Sequence, residues 1–261
     1  MNRTIAFSLI VTLGLFAPVL ASAQETPPAP AGGVDAPGFF RVGEYYEAHL
    51  WTYYYQTAGG KLEERFAAFT SECRRLGAPP AVLENLEAYH KGRVSLPFAG
   101  KPSTSWTPDE LKQWANAPTL LDAAWKAWLD KPEYEPRFFW HLGRMSFTGW
   151  FIVGSDVLER GVDVKNCERN MRDLAKVASA LSSDTGYARA RARLSPRAAE
   201  ALKAIAALSA PMEDPFGEGV TLDQLRTLDA SARTLRDLAR NKALTTPDPQ
   251  TTTTAAAPAR E

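Results

Sequence analysis

Between Gly38 and Leu244 the large apolar residues recur at steps of three and four, and no stretch shows sustained alternation of apolar and polar residues between hairpin turns. Near-3.6 spacing marks one buried face of a helix, whereas a half-buried strand needs a period of two. The spacing therefore predicts an all-α fold, an irregular multi-helix bundle of about eight or nine helices.

The stripes place the first helix over about Val42 to Tyr55, the second over Lys61 to Leu76 and the third over Ala81 to His90. A long connection, Lys91 to Ser105, follows; long irregular loops inside compact domains are often functional. Thr107-Pro108-Asp109-Glu110 then carries a capping Thr, Pro at the first helical position and Glu at the capping-box position. Further helices are expected from Leu120 to Leu129, Pro136 to Arg160, Val164 to Leu181, Pro196 to Leu208 and Leu222 to Ala243, the last opened by a second capping box at Thr221 and Gln224.

The segment from Pro136 to Arg160 is apolar on two sides, with Phe138, Leu142, Met145 and Ile152 on one stripe and Trp140, Phe147, Phe151 and Leu158 on another. A helix of that kind belongs at the centre of a bundle. Its glycines, Gly143, Gly149 and Gly154, cost about 1 kcal/mol each in helix propensity relative to Ala and so point to close packing or a kink.

The ends have a different character. Arg3, the apolar run Ile5 to Leu20 and the small-residue site Ala21-Ser22-Ala23 have the order of a secretory signal, giving residues 1–23 as a signal peptide. The apolar run contains Gly14 and Pro18 and is shorter than the roughly 20 residues needed to cross a bilayer, so no stable membrane insertion is expected after cleavage. Residues 24–37 are rich in Pro, Gly and Ala and read as a flexible linker; residues 38–244 are the helical domain; residues 245–261 lack any large apolar side chain and read as a disordered tail.

Charge is balanced, with 30 basic and 30 acidic residues, which argues against nucleic acid as the partner. Arg189, Arg191 and Arg193 alternate along ARARARL and read as a solvated surface cluster. The two cysteines, Cys73 and Cys167, each fall on an apolar stripe, and an oxidising compartment favours their pairing. Such a disulfide would stabilise the fold by about 4 to 5 kcal/mol through loop closure.

Four constellations could carry chemistry. Arg137, His141, Arg144 and Thr148 share one face of the central helix, and two guanidinium groups with an imidazole suit a carboxylate or phosphate ligand. Glu87-Ala88-Tyr89-His90 has the ExxH spacing of di-iron bundles, with Glu44 and Glu47 as conceivable partners, but a second ExxH is missing and no metal is expected. His49 lies among Tyr45, Tyr46, Trp51, Tyr53, Tyr54 and Tyr55, a set read chiefly as packing. The Lys91 to Ser105 connection is the fourth. GxSxG, HExxH, P-loop, CxxCH and Rossmann patterns do not occur, so no cofactor is implied.

These features imply a periplasmic or secreted, non-catalytic helical protein of the bacterial envelope that binds a partner protein or small ligand. The alternative is an exported enzyme with an atypical site around His141 and Arg144. Asp156 is its nearest acid along the helix, yet it lies about 18 Å further on at 1.5 Å per residue. Intact-mass analysis of the protein isolated from its native host is expected to give a chain starting near Gln24; a chain starting at Met1 contradicts the signal-peptide assignment.

Overall fold

A computed structural model describes residues 33–55, 61–99, 101, 105–117, 120, 123–129, 135–162, 164–208 and 220–246. The stretch read as a signal peptide, residues 24–32 of the stretch read as a linker and the end of the chain beyond Thr246 lie outside the described residues. Among the described residues the fold is all-α, with ten α-helices and no strand. They are α1 (Ala36–Tyr55), α2 (Leu62–Arg75), α3 (Pro80–Val94), α4 (Pro108–Asn116), α5 (Ala123–Leu129), α6 (Glu135–Thr148), α7 (Val164–Ser183), α8 (Ala188–Ala192), α9 (Pro196–Ala206) and α10 (Leu222–Arg240).

Both capping boxes form. Thr107 accepts from the Glu110 N–H and Thr221 from the Gln224 N–H, and each partner side chain bonds back to the capping residue's N–H. Two boundaries and one additional helix differ from expectation. Helix α1 starts at Ala36, inside the stretch read as linker, because the Asp35 carboxylate accepts from the Gly38 N–H at 2.9 Å and Pro37 fits a first turn. Helix α3 runs on to Val94, so the Lys91 connection opens as helix. One helix is additional to those expected, the short α8, built from the arginine-alternating segment.

Helix α6 is the hub. It packs against α1, α7 and α10, while α2 packs on α1, α3 packs on α2 and α5 to complete an outer layer, and α9 lies outside α7 and α10. Both of its apolar stripes are buried, from Phe138, Leu142 and Met145 to Trp140 and Phe147. Beyond Thr148 the helix continues as a π-helix over Gly149–Glu159, and at its end the Arg160 N–H reaches back to the Ser155 carbonyl at 3.1 Å. Helix α10 packs onto this wider segment, where a Cβ on Gly149 would lie 3.0 Å from Ala232 Cβ and from Leu228 Cδ2.

Two glycines set the α1–α6 crossing. A Cβ on Gly43 would run into the Trp140 carbonyl oxygen and lie 3.0 Å from the Arg144 backbone nitrogen. A Cβ on Gly143 would run into the Phe40 carbonyl oxygen and lie 3.1 Å from Phe40 Cα. The two backbones thus touch directly, each through the gap left by the other's glycine.

The expected disulfide is not present. Cys73 is a buried free thiol. It sits on α2, whose neighbours are α1 and α3, whereas α7 packs against α6, α9 and the π-helical segment, so the α1–α6 pair stands between the two cysteine-bearing helices. The Cys167 side chain lies outside the described residues.

The two ends of the described chain meet at one turn. The Arg193 side chain donates to the Val34 carbonyl at 3.2 Å and to the buried Glu135 carboxylate at 2.5 Å, while its own carbonyl accepts from the Thr246 N–H at 2.9 Å. The Ser195 N–H donates to the Leu244 carbonyl at 3.0 Å.

Because both glycine contacts are with backbone, no rotamer change relieves an added methyl. Gly43→Ala and Gly143→Ala are each expected to destabilise the fold by about 3 kcal/mol or more. Urea titration followed by tryptophan fluorescence checks this, and loss of under 1 kcal/mol contradicts the crossing.

Candidate functional site

Arg137, His141, Arg144 and Thr148 do share a face of α6, but that face leads into the α1–α6 seam. Arg144 is 8 % exposed; its Nε donates to Glu47 Oε1 of α1 at 2.6 Å. Its guanidinium carbon lies 4.8 Å from the Tyr46 ring centre and 4.7 Å from that of Trp140. Burial pulls this guanidinium down, but the Glu47 carboxylate and Tyr46 outweigh it and hold it above its ordinary value. Arg144 is therefore a cation locked between two helices.

His141 and Arg137 sit half-buried at the edge of the same face. The His141 ring lies 4.7 Å from that of Trp140. Burial, then Arg144 and Arg137, hold the imidazole well below its ordinary value, so it is neutral at pH 7. The structure thus splits the predicted stripe into a structural arginine and a half-buried edge.

Glu44, one turn before Glu47, has an equivalent role. It accepts from Arg236 Nε of α10 at 2.5 Å, and the Arg236 guanidinium lies 3.8 Å from the Trp150 ring centre. Burial pushes the Glu44 carboxyl up despite Arg236. Two acids on α1 thus each hold an arginine from a different helix against aromatic rings, a pattern the sequence reading did not find. Its signal was present in the i, i+3 acids beside Gly43, but their partners are distant in sequence.

The ExxH residues are not brought to Glu44 or Glu47. Glu87 is exposed, with a 3.9 Å contact to Arg74, while His90 Nε2 lies 3.0 Å from Glu63 Oε1 of α2. No group of three or more His, Cys, Asp or Glu placed to hold a metal occurs among the described residues. Asp156 pairs with Arg160 on its own segment at 3.0 Å rather than with the His141 stripe.

The arginine cluster is not a free basic surface. Arg189 and Arg193 both pair with Glu135, and Arg191 donates to the Leu181 and Asp184 carbonyls at the end of α7. In the Lys91 to Ser105 region, Arg93 lies 3.9 Å from the Trp114 ring centre and donates to the Trp114 carbonyl at 2.6 Å, and Phe98 packs on Trp106. Where α1 starts, α2 ends and α10 turns off, an open hollow of about 370 Å³ is lined by Asp35, Pro37, Arg41, Arg75 and Lys242. Arg41 and Arg75 both donate to Glu72 there, and Arg75 also reaches Asp35.

No family model, curated protein or solved structure matches this chain.

Removing one partner of a buried pair strands the other charge. Arg144→Met and Glu47→Leu are each expected to cost about 3 to 5 kcal/mol, whereas the double variant costs far less than their sum. A double-mutant cycle by chemical denaturation checks this; additive losses contradict the pairing.

Proposed function

We propose that the protein is a non-catalytic helical binding protein, exported to the bacterial cell envelope, that recognises a partner protein through its charged outer surface. One observation carries the reading: Arg144, the strongest candidate group of the central stripe, is committed to Glu47 between the rings of Tyr46 and Trp140. Glu44 with Arg236 and Glu135 with Arg193 are committed in the same way. Side chains so placed hold helices together. What remains for recognition is the outside, including the exposed Lys242 on the rim of the open hollow.

Export rests on the N-terminal signal pattern, and the absence of a strong basic excess favours a protein partner over nucleic acid. The alternative, an exported enzyme built around His141 and Arg144, draws on the neutral His141 imidazole, since a general base must be unprotonated at working pH.

The two readings separate on one variant. In affinity capture from envelope extract, His141→Ala is expected to retain the same partner as the unaltered protein, while Lys242→Glu weakens capture. Turnover of an ester or cell-wall substrate that disappears in His141→Ala overturns the binding reading and supports the enzyme.

A further inference from the structure

His49 occupies a seat that the binding reading does not use. It is 3 % exposed on α1 and walled by rings from both helices of the outer layer. From α2, Phe66 stacks on it at 5.6 Å and Phe69 meets it edge-on at 5.7 Å. From α3, Tyr89 lies at 6.1 Å and His90 is stacked at 6.0 Å. Phe66 and His90 are themselves stacked at 4.0 Å, so two imidazoles and a phenyl ring form one joint between three helices.

We propose that this joint is an acid-operated hinge: at neutral pH the His49 ring holds α2 and α3 against α1, and on acidification His49 takes up a proton by leaving its seat, which opens this end of the outer layer.

Arg65 of α2 and His90 and Tyr89 of α3 face His49 directly, and around them stand Glu63 of α2 against His90, Arg93 of α3 over the Tyr89 ring, and Tyr45 and Glu47 of α1 beside Phe69 and Tyr89. Glu63 lies against His90 and is largely exposed, and Glu47 is held by Arg144. Burial, followed by His90 and Arg65, brings His49 down from 6.5 to about 3. A base depressed in the closed state but ordinary in the open state makes closure weaken as pH falls from 6.5 towards 3.

The other end of the layer stays shut. Helices α1 and α2 run antiparallel, and opposite the ring cluster Arg41 and Arg75 both hold Glu72 while Arg75 also holds Asp35. Burial acts to raise the Glu72 and Asp35 carboxyls, but their hydrogen bonds outweigh it and keep both below their ordinary values, so these bonds outlast mild acid. Glu44 and Asp156 are shifted up chiefly by burial, so their protonation favours the closed state and does not mimic the effect. Helix α2 has its main neighbours in α1 and α3, so the opening is local.

Hydrogen exchange on the full chain at pH 7 and pH 5, corrected for intrinsic rates, tests this. From a closed value of about 3 and an open value of 6.5, the opening equilibrium of the α2 N-terminal half and the α3 C-terminal half is expected to rise about 25-fold, with α10 unchanged. In His49→Phe the rise disappears. An equal rise in His49→Phe, a rise shared by α10, or no rise overturns the hinge. Should His49→Phe not fold, NMR titration of the His49 ring decides: an imidazole still neutral at pH 5 supports the proposal, and a midpoint near 6.5 overturns it.

Discussion

The contact between the backbones of α1 and α6 sets the geometry of the rest. Gly43 faces the Trp140 carbonyl and Gly143 faces the Phe40 carbonyl, so the helices approach until main chain meets main chain. Helix pairs with ordinary side chains between them sit 8 to 10 Å apart. With no side chain in the way, the flanking residues Tyr46, Glu47, Trp140 and Arg144 close over the seam. A wider crossing would leave Arg144 short of Glu47, and a buried guanidinium without its carboxylate is not tolerated.

The buried arginines share one construction. Arg144 lies by Tyr46 and Trp140 with Glu47, and Arg236 lies by Trp150 and Phe147 with Glu44. Ring faces attract the planar cation and a carboxylate orients it. Such pairs return little net stability once desolvation is counted, but they penalise any arrangement that separates them. Helix α1 carries both acids, so it fixes the placement of α6 and α10 together. Apolar stripes alone would allow those helices to slide by a turn.

Much of the fold was legible in the sequence, because period and capping are local. The stripe Leu225, Leu228, Ala232, Leu235 and Ala239 is buried throughout, both capping boxes form, and Gly143 does mark a close approach. Asp35 with Pro37 was masked by the Pro-rich composition around it. The π-helical segment over Gly149–Glu159 packs against α10, a contact that no local rule supplies. Arg144 was placed on the right face, but periodicity says which residues share a face and not which helix meets it; Glu47 is 97 positions away. For the same reason Cys73 and Cys167 looked alike as stripe residues while their helices pack on different neighbours.

If the α1–α6 seam is dry and backbone-to-backbone, the polar residues along it, Glu47 and Arg144 above all, are braces that hold the two helices together. The most direct measurement is the proton–proton contact across the seam in a nuclear Overhauser spectrum of the full chain. Strong cross-peaks are expected from the Gly43 α-protons to the Arg144 amide and from the Gly143 α-protons to the Phe40 α-proton. Their absence, with side-chain cross-peaks filling the space between α1 and α6 instead, would contradict it.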